Sequence, residues 1–263
     1  MILGTIFRVM NEDEEAAERI RNLLAAFDGT ARPARAARII QIVRSDDGKL
    51  VAHNDCRRFT SVEDDWDDFL TSIVAVINSA AIGSCEQFAV HSAVVSRNGF
   101  VVALPASTGG GKTTMAASLL REGFSYLSDE ALVLTSGGLV IPYPKPMALS
   151  PWSADVLDLP HAGNERLAMP GDLGGGFGTG GEPITDIIQL ERGGSDTRIE
   201  SAPRSEGVVA LLTNSFNHYK DPGEAFRLAT EIARNARVWR LSYDDPRSAA
   251  ALVASELTEL NSG

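Results

Sequence analysis

The residues most able to do chemistry in this 263-residue chain form a glycine run ending in lysine and threonine: Ala106, Ser107, Thr108, Gly109, Gly110, Gly111, Lys112 and Thr113. They follow the G-x-x-x-x-G-K-[ST] pattern with alanine at the first glycine position. Glycines let successive backbone N–H groups converge on phosphate oxygens. The lysine supplies a mobile cation over the β- and γ-phosphates, and the threonine hydroxyl suits Mg²⁺. The flanks agree with this chemistry. Phe100–Leu104 is an apolar, strand-like run, and Thr114–Leu120 reads as the start of a helix whose N-terminal dipole favours an anion. The set Ala106–Thr114 is therefore expected to hold a nucleoside phosphate, with Lys112 also acting in catalysis.

Ser128-Asp129-Glu130 lies 16 residues beyond Thr113, after the apolar run Phe124–Leu127. Two acids at a strand end are by themselves an ordinary solvated turn. Beside a phosphate loop they gain a chemical reading, in which they hold Mg²⁺ or accept a hydroxyl proton. His91 precedes the loop by one hairpin. A lone histidine among apolar residues fits a satisfied core position as well as a functional one. His53, His161 and His218 carry no motif.

The elements that must position these groups follow from periodicity and turn chemistry. Residues 2–10 read as a strand. Asn11, with Glu14 three residues on, reads as the cap of a helix running to about Phe27 and ended by Gly29. A basic loop over residues 29–36 follows. Arg38–Val43 and Leu50–His53 suit two strands around a turn at Asp46, Asp47 and Gly48. Ser61–Asp64 is a capping box before a long helix through Trp66, Phe69, Leu70, Ile73, Val76 and Ile77. Residues 1–85 thus read as a small N-terminal α+β domain.

From residue 86 to 263 the pattern is that of a larger catalytic domain. Phe88–Val95 and Gly99–Leu104 flank Asn98-Gly99, a hairpin signal. A helix over Thr113–Glu122, a Gly123 stop, and strands near Phe124–Leu127, Ala131–Thr135 and Leu139–Ile141 come next. Further strands are expected at Ile184–Leu190, Val208–Ala210 and Val238–Leu241, and helices over Pro222–Ala236 and from Pro246. Residues 171–181 hold seven glycines in eleven positions. Such a segment is expected to be mobile and unable to pack a core, either a connector or a lid over an acceptor.

Composition sets the outer limits. With 24 Lys and Arg against 35 Asp and Glu, the net charge is −11, which disfavours nucleic-acid partners and anionic membrane surfaces. The hydrophobic share of 44% supports a packed core. Cys56 and Cys85 form no metal-ligand spacing, which suits free thiols in a reducing compartment. No apolar stretch approaches the length of a membrane span, and the short apolar start lacks the pattern of a secretory signal. The expected location is the cytoplasm.

Three stretches together resemble the catalytic domain of HPr kinase/phosphorylase, and more closely its shorter relatives from bacterial gene clusters. They are the histidine-led strand from His91, the loop ending Gly111-Lys112-Thr113-Thr114, and the helix, strand and acids of Leu119–Glu130. The proline-punctuated segment Pro142–Leu149 adds to the likeness, which is specific over about residues 88–150. The resemblance implies an α/β, phosphoenolpyruvate-carboxykinase-like P-loop fold. It implies ATP, or another nucleoside phosphate, and Mg²⁺ as cofactors. Asp129 would take the acceptor proton, Glu130 would stand on the metal side with Thr113, and Asp129 could share that metal. His91 would lie near the phosphates, and Lys145 is a candidate contact to phosphate or acceptor. The implied activity is an ATP-dependent kinase for a hydroxyl of a peptide or small protein, with homo-oligomers possible. The family's Glu-x-Arg-Gly-rich stretch, tied to phosphorolysis, has no counterpart, so phosphorylase activity and HPr itself are not expected. A non-catalytic nucleotide-binding accessory protein and a small-molecule hydroxyl kinase are the alternatives.

Overall fold

A computed structural model describes residues 2–3, 5–11, 13–27, 38–46, 49–54, 58–60, 66–161, 163–194 and 196–259. The basic loop at 29–36, the Ser61–Asp64 capping box, Cys56 and the turn at Asp47-Gly48 lie outside the described residues. The chain is mixed α/β and divides into two compact units. No helix among the described residues is long and apolar enough to cross a membrane.

The first unit comprises Met1–Cys85, Ala148–Ala154 and Pro160–Leu167. Its elements are β1 (Phe7–Asn11), α1 (Glu14–Leu23), β2 (Arg38–Arg44), β3 (Leu50–Asn54), β4 (Arg58–Thr60) and α2 (Trp66–Ser84). The strands form one sheet in the order β1-β2-β3-β4, with β1 parallel to β2 and the other pairs antiparallel. Ile40, Ile42 and Val51 from the sheet and Ile20, Phe69, Ile73 and Ile77 from the helices are buried. The α1 cap differs from expectation. Asp13, not Asn11, accepts the Ala16 N–H at 3.0 Å, while Asn11 accepts the N–H of Asp13 at 2.9 Å. Arg44 also pairs with Asp13 at 2.7 Å, so the carboxylate serves the helix and β2 at once. With the Ala16 N–H first and Arg44 second, these contacts hold the Asp13 carboxyl below its ordinary range. The helix also stops earlier than expected, at Leu23.

The second unit comprises Glu86–Met147, Asp155–Leu159 and Ala168–Gly263. It opens with β5 (Phe88–Arg97) and β6 (Phe100–Pro105), joined at Asn98 and Gly99, both at positive φ. There follow α3 (Lys112–Arg121), β7 (Ser125–Ser128), β8 (Ala131–Leu134) and β9 (Val140–Ile141). Three short elements come next along the chain, most of their residues belonging to the first unit: β10 (Met147–Leu149), α4 (Pro151–Val156) and β11 (Arg166–Ala168). A single 3₁₀ turn at Pro170–Leu173 leads to β12 (Asp186–Arg192) and β13 (Arg198–Ser201). The unit closes with α5 (Arg204–Thr213), α6 (Pro222–Asn235), β14 (Arg237–Tyr243) and α7 (Pro246–Glu259).

Its open sheet has the order β13-β14-β12-β6-β5-β8-β9, with β7 paired to another stretch of β5. β6, β12 and β14 are parallel, and the remaining pairs are antiparallel. Alternation along the strands sorts side chains onto two faces. Val94, Val101, Ala103, Ile187 and Val238 pack with Leu211, Leu228 and Ile232 of α5 and α6. Val95, Val102, Leu104, Ile188 and Leu241 pack with Met115, Leu119, Ala250 and Val253 of α3 and α7. The result is helices on both faces of a buried sheet. At one end of β12 the buried Asp186 accepts both Arg237 nitrogens and the Trp239 indole N–H, each at 2.8 Å, locking β12 to β14.

Two expectations are corrected here. The strand expected at Val208–Ala210 lies inside helix α5. An apolar run hides its period, but Gly207, Ala210 and Leu211 are the buried positions, at helical spacing. Gly207 also lets α5 sit tightly on the sheet, since a Cβ there would meet Val238 Cγ2 at 2.9 Å. The glycine-rich segment 171–181, expected to be mobile, is laid against β7 and β9. Tyr126 N–H donates to Gly176 O and Gly178 N–H donates to Tyr126 O, each at 2.8 Å, while Gly181 N–H bonds Val140 O. The glycines permit close approach. A Cβ on Gly178 would lie 2.7 Å from Leu127 Cδ2, and one on Gly180, at φ +65°, 2.4 Å from Pro142 Cγ. Gly180→Ala is therefore expected to destabilise by about 2 kcal/mol through clash and backbone strain. Urea denaturation against wild type checks this, and an unchanged midpoint would deny the close packing.

Candidate functional site

The glycine run leaves the C-terminal end of β6, at Pro105, and enters α3 at Lys112. The Ala106 N–H donates to His91 O at 3.3 Å, tying the start of the loop to β5. Gly109 and Gly111 take left-handed φ values of +78° and +83°. At Gly110 a Cβ would fall 2.9 Å from Ala106 Cβ and 3.0 Å from Ser107 O. At Gly110 the loop thus closes on itself so tightly that a side chain is excluded. Its crest, Ser107–Gly109, is exposed. Gly111 caps α3 without a side-chain acceptor, and the first turn carries no acid. The amides of that turn have no intrahelical partner, so this end of the helix offers donors to an anion. Lys112 is buried, and its Nζ donates to Ser107 O at 2.9 Å. Thr113 is half-buried and Thr114 buried.

The two acids follow β7, and Ser128 sets their turn. Its hydroxyl accepts the N–H groups of Glu130 and Ala131 at 3.2 and 3.0 Å. The acids then part in character. Asp129 is only 3% exposed. Its Oδ1 accepts the Tyr126 O–H at 2.6 Å and pairs with Lys145 Nζ at 2.6 Å. Lys145 is equally buried, and its ammonium also donates to Pro146 O at 3.1 Å. Glu130 is half-buried, with His91 Nε2 3.7 Å from its Oε1.

Electrostatics joins these groups. Burial pushes the Glu130 carboxyl up, with Asp129 adding to the rise and Lys145 and Lys112 opposing it. Burial pushes Lys112 down against the pull of Glu130 and Asp129. His91 is lowered to about 4, first by burial and then by Lys112, with Asp129 opposing. The contact between His91 and Glu130 is then that of a neutral imidazole with a carboxyl near pH 7, not an ion pair, because the burial that lowers the histidine outweighs a carboxylate at 3.7 Å. Burial raises both Tyr126 and Tyr143, and the acids add to the rise. Both phenols therefore stay protonated.

The depressed histidine gives a stability signature. Between about pH 6.5 and 4 the unfolded chain binds a proton at His91 that the folded chain refuses, so His91 lowers stability as pH falls through that window. Below about 4 the effect is complete. His91→Gln is expected to lose less of its midpoint than wild type between pH 7 and pH 4.5. Thermal melts at both values check this, and parallel losses would place the histidine in solvent.

The structure brings His91, Lys112, Asp129, Glu130 and Lys145 into one interacting group. Sequence reasoning missed three members or neighbours of it. Tyr126 and Tyr143 face the acids, and Tyr243 approaches Gly111. Tyr126 lies three residues before Asp129 in a strand that reads simply as core, so no sequence signal marks its hydroxyl.

The donor set fits a polyphosphate, since the loop leads into a helix N-terminus with no side-chain cap and no acid in its first turn, beside the Lys112 ammonium. Among the described residues no group of three His, Cys, Asp or Glu side chains forms a metal cluster. Mg²⁺ carried by phosphates needs only one or two protein oxygens. The Glu130 carboxyl and Thr113 hydroxyl suit that role better than Asp129, one of whose oxygens is taken by a cation and a phenol. No family model and no curated protein matches the chain.

Proposed function

We propose that the protein is a nucleotide-dependent phosphotransferase that moves the γ-phosphoryl group of ATP to an alcohol oxygen, the hydroxyl of a serine or threonine in a peptide or small protein. The observation that carries the reading is the pairing of a tight glycine loop and its lysine with a buried carboxylate whose charge acts on that lysine. Lys112 and the amides of α3 stabilise charge on the transferring group. Asp129 receives the acceptor proton. Tyr126 and Lys145 both hold Oδ1, which orients the carboxylate and leaves Oδ2 for that proton. The acceptor oxygen forms its bond to phosphorus as the bond to the ADP oxygen breaks. Thr113 and Glu130 would hold Mg²⁺, whose charge neutralises the β- and γ-oxygens. His91, kept neutral, can donate or accept one hydrogen bond beside the phosphates without adding charge.

One observation favours a second reading. Asp129 is almost fully enclosed and already paired, which suits a fixed structural bond in a nucleotide-binding regulatory protein without transfer. A small-molecule acceptor is a third case. Incubation with γ-labelled ATP, Mg²⁺ and serine-containing peptides separates them. Label on the peptide supports the kinase, label on added metabolite alcohols alone moves the acceptor class, and nucleotide binding without label in either favours the regulatory protein.

A further inference from the structure

β6 pairs with β5 only over Ser92–Arg97, ending at Pro105 opposite Ser92, and then departs as the glycine loop. Before Ser92 another segment takes over that edge of β5, the connection between α5 and α6. The His91 N–H donates to Asn214 O at 2.7 Å, and the Phe216 N–H donates to Ala89 O at 2.9 Å. The buried Asn217 side chain continues the ladder in place of a backbone. Its Oδ1 accepts the Ala89 N–H at 3.0 Å, and its Nδ2 donates to Gln87 O at 2.7 Å. The Ser215 hydroxyl donates to Ala89 O and accepts the N–H groups of Asn217 and His218, which sets the turn.

The consequence falls on His91. Alternation puts its side chain on the face of β5 where Ala93 and Val95 pack with Met115 and Leu119 of α3, the helix that the glycine loop enters. Its backbone joins both structures, since its O accepts the Ala106 N–H of the loop and its N–H bonds Asn214. The half-buried Phe216 ring lies against the imidazole, with centroids 5.2 Å apart and planes inclined at 45°. Glu130 Oε1 stands 3.7 Å from Nε2, beyond hydrogen-bond reach. A carboxyl at that distance does not fix the plane of the imidazole, whereas a packed aromatic ring does.

We infer that Phe216 is a positioning residue for phosphoryl transfer, its ring fixing the plane of the His91 imidazole beside the glycine loop. The inference rests on the phosphotransferase reading above and adds to it a residue from the α5–α6 connection. Without the ring the imidazole turns, and its nitrogens leave the direction in which they meet the phosphates. Such misplacement lowers the rate more than it weakens binding of the ground state.

The test is a double-mutant cycle of Phe216→Leu and His91→Gln, with Phe216→Tyr as the conservative variant. Transfer from γ-labelled ATP to serine-containing peptides is measured per nucleotide-binding site, counted by Mg·ATP titration, so unfolded chain does not enter the rate. Phe216→Leu is expected to lower kcat about tenfold while KM for ATP stays within about twofold of wild type. Phe216→Tyr should recover most of that loss. In the His91→Gln background, Phe216→Leu should change kcat by less than about twofold, because the two residues act as one unit. The full loss in that background as well would show that the ring acts without His91 and would overturn the inference. An unchanged kcat in Phe216→Leu would overturn it too, as would a loss confined to KM for ATP, which would make the ring a nucleotide contact. In all three cases wild-type transfer keeps the phosphotransferase reading intact. Wild type that binds Mg·ATP but transfers no label would remove that reading and this inference together.

Discussion

Lys112→Ala is expected to reduce phosphoryl transfer by about 10³-fold or more, with the fold preserved. A lysine in a glycine loop supplies charge where charge develops on the transferring group, and removal of one such stabiliser costs about that much. The surroundings of Lys112 sharpen the expectation. Burial disfavours its charge, and Glu130 and Asp129 restore part of it, so the ammonium is held at a site that serves a ligand better than it serves the fold. Its Nζ donates to Ser107 O, a carbonyl of its own loop. Truncation therefore removes a desolvated charge along with that bond, and the thermal midpoint should shift by a few degrees at most. Transfer to peptide measured with labelled ATP, beside circular-dichroism melts, checks both parts. Undiminished turnover in a folded variant would deny Lys112 its role.

Asp129→Asn is expected to show the opposite division, with a large loss of both stability and transfer while nucleotide still binds. The amide can still accept the Tyr126 hydroxyl, but Lys145 would be left as an unpaired charge in a site 4% exposed. Breaking a buried pair from one side costs about 3–5 kcal/mol, or about 10 °C in a domain of this size. Transfer should fall by about 10²–10⁴-fold if the carboxylate is the base. Adding Lys145→Met removes the orphaned charge and should recover most of the midpoint without recovering transfer. That double variant separates the two readings of the buried pair. Transfer retained by Asp129→Asn would reduce the carboxylate to a structural bond.

Much of this arrangement can be read along the chain because it is local. The loop, its flanking strand and helix, and the two acids fall within 31 consecutive positions, Phe100–Glu130. Asn98-Gly99 and Gly123 announce their turns by the positive φ they need. What escaped reading is what forms between distant segments. Lys145 meets Asp129, and Tyr243 meets Gly111, only because the sheet order brings them there. Glycine carries two meanings that composition cannot separate. At 171–181 it reads as freedom, yet at Gly178 and Gly180 it is the only side chain small enough for the neighbours. Val208–Ala210 misleads for a related reason. A continuous apolar run suits a strand or a buried helix face, and Gly207 against Val238 decides for the helix only once the sheet is in place.

Titration of the full chain with Mg·ATP tests the central claim most directly. The account predicts saturable one-to-one binding in the range of about 1 μM to 1 mM usual for enzyme substrates, displaced by tripolyphosphate and lost in Lys112→Ala. Absence of saturable binding, or equal binding by the Lys112 variant, would contradict it.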